Sequence, residues 1–227
     1  MELTNYGHAC FGVRTRGTDL LFDPFITGNP RATAIQIDQI PADTILITHA
    51  HGDHVADVEQ IANRTGAGLV SNFEIVTYFE KKGLKRHPMN IGGKVELPWG
   101  TVKSVSAIHS SVFPDGTYGG NPGGFVIWNE EGCLYHAGDT ALTSDMQLLP
   151  LTCPPLTAAI LPIGDNFTMG WQDAIEAARL IGCTTIIGCH YDTFGYIEID
   201  HQAAINGFAK AGLKLLLPAI GETISLA

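Results

Sequence analysis

Residues 42–57 read ADTILITHAHGDHVAD, and no other segment restricts the fold as strongly. ADTILIT is a short, nearly continuous apolar run with the character of a buried strand. Three histidines and an aspartate follow it at once, and a helical pattern begins within a few residues. Such a chain must end a buried strand where several lone-pair donors meet. Ligand-bearing groups collect at strand ends of this kind in layered α/β folds. His49 and His51 stand two apart, so on extended backbone they point the same way. Gly52 permits a sharp turn, which can aim Asp53 and His54 at a neighbouring point. One loop can thus offer two imidazoles to one metal, and a carboxylate with an imidazole to a second. These are good ligands for zinc and other borderline ions. A merely solvated histidine-rich loop would leave these side chains at the mouth of a buried strand to no purpose.

The rest of the chain bounds the surroundings. Its 227 residues suit one layered domain, since domains run to about 100–200 residues, and 1–227 is taken as one. Hydrophobic residues make up 45% and charged residues 16%, enough to build a substantial core. The net charge of −10 repels phosphate backbones, so nucleic-acid binding is not expected. The N-terminal MELTNYGHACFG lacks the basic and long apolar regions of a signal peptide. No apolar run approaches the ~18 residues of a membrane span. Five cysteines without a CxxC pair fit reduced thiols and a cytoplasmic location. Cys189 adjoins His190, but neighbours on a strand face opposite ways, so only one of them can face a site. Oligomeric state is not legible, and a homo-oligomer stays open.

Strands are expected at 10–15, 19–22, 44–48, 94–97, 101–108, 124–129 and 132–136, separated by turn signals such as RGT, PWG and NEEG. Helices are expected at 55–65, 72–82, 171–181 and 201–211. Each is followed by glycine, and Asp200 is placed to cap the last. TAAILPI and TTIIGC are wholly apolar and read as strands buried on both faces. The class is α/β (α+β), a sandwich of strands with helices on its outer faces.

Three more strand ends carry a single candidate each: His109 in AIHSS, Asp139 in LYHAGDT and His190 in IIGCHYDT. The pattern HAHGDH, a distant His, GDT and a further His resembles the metallo-β-lactamase superfamily of hydrolases. Asp23 in LFDPF matches that family's first, acidic motif, so the resemblance runs from residue 23 to 190. GHACF, HAGDTAL, PIGDNFTMG and GCHYDTF are similar to a branch of metal-dependent hydrolases close to the ascorbate phosphate lactonases. Asp165 departs from the pattern, standing where a glycine is expected. The resemblance implies a four-layer αββα sandwich and two divalent metal ions, zinc first, with manganese or iron(II) as alternatives. It assigns His49, His51 and His109 to the first metal, Asp53, His54 and His190 to the second, and Asp139 as a bridge between them.

Paired divalent ions bring the pKa of a shared water to about 7, giving a hydroxide that attacks a carbonyl or phosphoryl centre. Asp53 is then both ligand and catalytic group, orienting the hydroxide and later carrying a proton to the leaving group. Four positive charges against two carboxylates and a hydroxide leave a cationic pocket, which suits a small anionic ester or lactone. His8 either supports a ligand through its other nitrogen or is a hydrogen-bonded core histidine. His136 reads as support or core, and His87 and His201 as surface. Asn166, Thr168, Tyr191 and Thr193 flank the ligands and are candidates for substrate contact. The rival expectations are a phosphodiesterase or nuclease of the same fold, and a metal-binding protein without catalysis.

Overall fold

The computed structural model describes residues 1–226. It contains two seven-stranded sheets. The first holds β1 (Glu2–Gly7), β2 (Cys10–Thr15), β3 (Thr18–Phe22), β4 (Thr44–Leu46), β5 (Gly68–Asn72), β6 (Arg86–Met89) and β14 (Thr223–Ser225), in the order β14-β1-β2-β3-β4-β5-β6. The second holds β7 (Lys94–Leu97), β8 (Gly100–Ser106), β9 (Gly123–Asn129), β10 (Gly132–His136), β11 (Ala158–Pro162), β12 (Thr185–Cys189) and β13 (Lys214–Leu216), in the order β13-β12-β11-β10-β9-β8-β7. Each sheet begins with antiparallel hairpins, β1–β2–β3 and β7–β8–β9–β10. Each then turns parallel, through β3–β4–β5–β6 and β10–β11–β12–β13.

The period-2 alternation of strands sorts the core into layers. Leu20, Phe22 and Leu46 face Phe125, Leu134, Ile160 and Ile187 between the sheets. Their neighbours Leu21 and Ile45 point outward. There they pack on α2 (Val58–Thr65) and α3 (Phe73–Glu80) through Ile61, Ile75 and Phe79. On the other side, Tyr135, Leu161 and Ile186 pack on α5 (Trp171–Leu180) and α6 (His201–Lys210) through Ala174, Ala178 and Phe208. Helix, sheet, sheet, helix is the expected αββα sandwich. A fully buried Phe22 or Leu46 contributes about 1.5–3 kcal/mol.

Three local expectations change. The helix expected at 55–65 is two pieces, a one-turn α1 (Gly52–Val55) and α2. The break falls at Asp57, whose N–H donates to the Pro24 carbonyl while its carboxylate accepts from Ile26 N, Thr27 N and Thr27 Oγ1. Gly52 is not a left-handed turn. His51 is extended (φ −65°, ψ 150°) and the chain passes directly into α1, so Asp53 and His54 are helical. Finally β1, β5, β6, β13 and β14 were not expected. β6 contains Pro88, which an edge strand tolerates, and β13 and β14 have three residues each. A short α4 (Leu149–Thr152) completes the set.

Candidate metal centre

Five strand ends and one hairpin turn deliver the site to one end of the sandwich. β3 ends one residue before Asp23, and β4 leads into His49 and His51. α1 carries Asp53 and His54. β8 runs toward His109, β10 toward Asp139, and β12 ends one residue before His190. His8 sits in the β1–β2 turn. His8, Asp23 and His190 have positive φ, at 57°, 44° and 54°. Non-glycine residues hold this conformation at a cost of about 1–3 kcal/mol, and such residues cluster where geometry matters more than local stability.

Asp139 is the centre. Its Oδ2 lies 2.9 Å from His190 Nε2, 3.3 Å from His54 Nε2, 3.6 Å from His109 Nε2 and 3.8 Å from His49 Nε2. Around it the donor atoms form three groups, each within 4.8 Å: His49, His51 and His109; His49, His54 and Asp139; His8, Asp53, His54 and His190. All seven sequence-predicted ligands are therefore brought together. Asp139 Oδ1, His54 Nε2 and His190 Nδ1 are buried with no hydrogen-bond partner. Buried polar atoms are rarely left so, and oxygen and imidazole donors converging in this way fit divalent cations.

The surrounding groups set the tautomers. Asp23, fully buried, accepts from Thr48 N (2.8 Å) and Thr48 Oγ1 (2.7 Å), and lies 2.9 Å from His54 Nδ1. His54 Nδ1–H therefore donates to Asp23, and Nε2 faces Asp139. The Thr48 hydroxyl spends its proton on Asp23, so its oxygen accepts from His49 Nδ1 at 3.0 Å and leaves His49 Nε2 as a lone pair facing inward. Ser110 Oγ sits 3.1 Å from His51 Nε2.

Charge follows from this packing. Burial opposes a proton on His54, but the carboxylates of Asp139 and Asp23 outweigh it and raise its pKa well above the usual range; a metal ion at Nε2 would take that proton's place and leave Nδ1–H on Asp23. Burial likewise opposes the Asp139 carboxylate, yet His54 and His190 hold its pKa well below. Burial pushes His49 down. His8 falls to about 4, chiefly by burial. The Asp53 carboxyl is held below the carboxylate range by His8 and His54 against its own burial.

Other predicted residues are distributed differently. His8 Nε2 is 3.0 Å from Asp53 Oδ2, and His8 Nδ1 is 2.9 Å from Thr193 Oγ1. The Tyr191 ring meets His201 edge-on at 5.4 Å. Among the described residues no hydrogen bond or ring contact joins Asn166 or Thr168 to the cluster; Thr168 Oγ1 donates to Met169 O. Asp165 has φ 61°, the conformation glycine favours, which accounts for an aspartate replacing the expected glycine. His136 is a core residue, stacked on Phe22 at 5.1 Å, with Nε2 3.2 Å from Ala9 O and Nδ1 accepting from Gly138 N. His201 is exposed with Nε2 2.6 Å from Asp192 Oδ2, while His87 is half-buried on β6. Cys189 faces the inter-sheet core, opposite to His190. Thr48 and Ser110 lie outside the sequence expectations; each adjoins an expected ligand in sequence, and that adjacency is the available signal.

Residues 18–191 match the family model described as "Beta-lactamase superfamily domain". The chain is 58% identical over 226 residues to a UPF0173 metal-dependent hydrolase of Flavobacterium johnsoniae, with 100% of both chains covered. It is 41% identical over 231 residues to another from Bacillus cereus, again with full coverage of both. Among solved structures, Igni18, a metallo hydrolase from the archaeon Ignicoccus hospitalis, superposes with a TM-score of 0.89 at 34% identity, covering 98% of this chain and 97% of that one. The chain belongs to the β-lactamase superfamily and, within it, to the UPF0173 metal-dependent hydrolases.

Proposed function

We propose that this metal-dependent hydrolase is binuclear and cleaves a small anionic ester or lactone. In this reading His49, His51 and His109 hold one ion, Asp53, His54 and His190 hold the other, and Asp139 bridges them. Zinc is the preferred ion, with manganese and iron(II) as alternatives. The observation that carries the reading is Asp139 Oδ2, which stands within 3.8 Å of four imidazole nitrogens from both sheets. When bound, the ions supply Lewis acidity and a water acidified to about pKa 7.

The chain's own groups do the rest. Asp53, ionised at neutral pH, accepts a hydrogen bond from the attacking water and carries its proton toward the leaving group. Asp23 and Thr48 hold His54 and His49 in the tautomers that present Nε2 inward. Two divalent ions against the carboxylates of Asp53 and Asp139 leave the pocket cationic, which supports an anionic substrate. The hairpin β1–β2 and the last strand, β14, share a sheet, which supports taking 1–227 as a single domain. Five free cysteines support a reducing, cytoplasmic location.

Asp53→Ala, assayed with a panel of lactones, carboxylate esters and bis(p-nitrophenyl) phosphate, tests this. Turnover of esters or lactones by the parent, lost by at least about 100-fold in the variant, is expected. Turnover of the phosphodiester alone would transfer the site to phosphodiester cleavage. Unchanged rates in the variant would remove Asp53 from the chemistry.

A further inference from the structure

Asp53 stands on a one-turn helix at the mouth of the site, and its side chain is 26% exposed. Among the described residues its only hydrogen-bond partner is His8. A carboxylate so lightly held would sample several orientations, and a group that aims a water must not.

His8, by contrast, is firmly fixed. Its side chain is fully buried. Its carbonyl accepts from His190 N at 3.1 Å. Its ring lies 4.2 Å from that of His190 and meets Phe25 and Phe194 edge-on at 5.6 and 5.4 Å. Both ring nitrogens are engaged, and the partners decide the tautomer. The ionised Asp53 only accepts, so His8 Nε2 carries the proton. Nδ1 is then a lone pair and needs a donor. The Thr193 hydroxyl, buried at 2.9 Å, can give its single proton either there or to Tyr191 O at 3.4 Å. The nearer acceptor has no other donor, so the proton goes to His8. Thr193 is itself held by its loop, in which Asp192 accepts from Ile199 N and pairs with His201.

We propose that Thr193 and His8 are a positioning pair: the Thr193 hydroxyl fixes the Nε2–H tautomer of His8, and His8 clamps Asp53 Oδ2, the oxygen that also faces His54 and His190 Nε2, so that Oδ1 remains to serve the reacting water. Thr193 is thereby a positioning residue rather than the substrate contact its sequence position suggests. This rests on the hydrolase reading of Asp53, but its test has an arm that does not.

The near-isosteric Thr193→Val and the hydroxyl-retaining Thr193→Ser are compared with the parent in two ways. Long-range ¹H–¹⁵N spectra of the full, zinc-loaded chain report the tautomer of each histidine. His8 is expected as Nε2–H in the parent and in Thr193→Ser, with that preference lost in Thr193→Val. A Nδ1–H tautomer in the parent, or no change in Thr193→Val, overturns the proposal, whether or not the chain hydrolyses anything. With p-nitrophenyl butyrate, Thr193→Val is expected to lower kcat about 10–100-fold at unchanged KM and metal content, and Thr193→Ser to restore it. A raised KM at unchanged kcat would make Thr193 a substrate contact and overturn the clamp. Inactivity of the parent toward the whole panel of lactones, carboxylate esters and bis(p-nitrophenyl) phosphate would defeat the hydrolase reading and leave the spectra to decide the pair.

Discussion

Asp23 illustrates how one buried carboxylate can organise several residues of the site. It accepts from both donors of Thr48 and meets His54 Nδ1. Asp23→Ala would leave the Thr48 N–H and the His54 imidazole without a partner inside the sandwich. Removing one member of a buried pair costs about 3–5 kcal/mol. The urea midpoint should therefore fall by that equivalent, and an unchanged midpoint would show that Asp23 does not support the fold. The thiols give a second test at this scale. Burial raises the pKa of Cys10, Cys183 and Cys189 and takes Cys133 to about 12. Thiolate is the reactive form, so these four should resist dithionitrobenzoate near neutral pH. Half-exposed Cys153 should react alone until denaturant frees all five. Rapid native reaction of more than one thiol would contradict the buried placement.

The elements carry these residues only as accurately as their ends are placed. β12 and the loop after β11 approach so closely that a Cβ on Gly164 would lie 2.1 Å from the His190 carbonyl and 3.0 Å from Ile197 Cβ. Gly164→Ala must push the end of β12 aside. Overpacking of this kind costs about 1–3 kcal/mol, and the displaced His190 should retain metal less firmly. Urea unfolding and metal content after dialysis would read the two effects, and a variant matching the parent in both would refute the close approach. Much of this level was legible in the sequence. Asp200 caps α6, accepting from Ala203 N, because capping is a local affair. The apolar runs of β11 and β12 were legible because strands buried on both faces need no polar residues. The short edge strands were not, since β14 and β13 acquire strand geometry only from their neighbours β1 and β12. Nor was the break at Asp57, which depends on partners about thirty residues upstream. At the site, side chains that bring metal-binding chemistry at strand ends announced themselves. The His8–Asp53 contact did not, because it joins the β1–β2 turn to α1, 45 residues apart in sequence.

For the whole molecule, the centre belongs to neither sheet. Asp23, His49, His51, Asp53 and His54 follow strands of the first, whereas His109, Asp139 and His190 follow strands of the second. Asp139 reaches across to His49 and His54, so a cation bound there would tie the two sheets together at this end. Among the described residues no helix is long and apolar enough to cross a membrane. The most direct test is elemental analysis of the purified chain after equilibration with zinc and removal of loosely bound ions. Two ions per chain are expected, falling to about one in His190→Ala and in His109→Ala. A parent chain that retains less than one ion under these conditions would contradict a binuclear centre built on these residues.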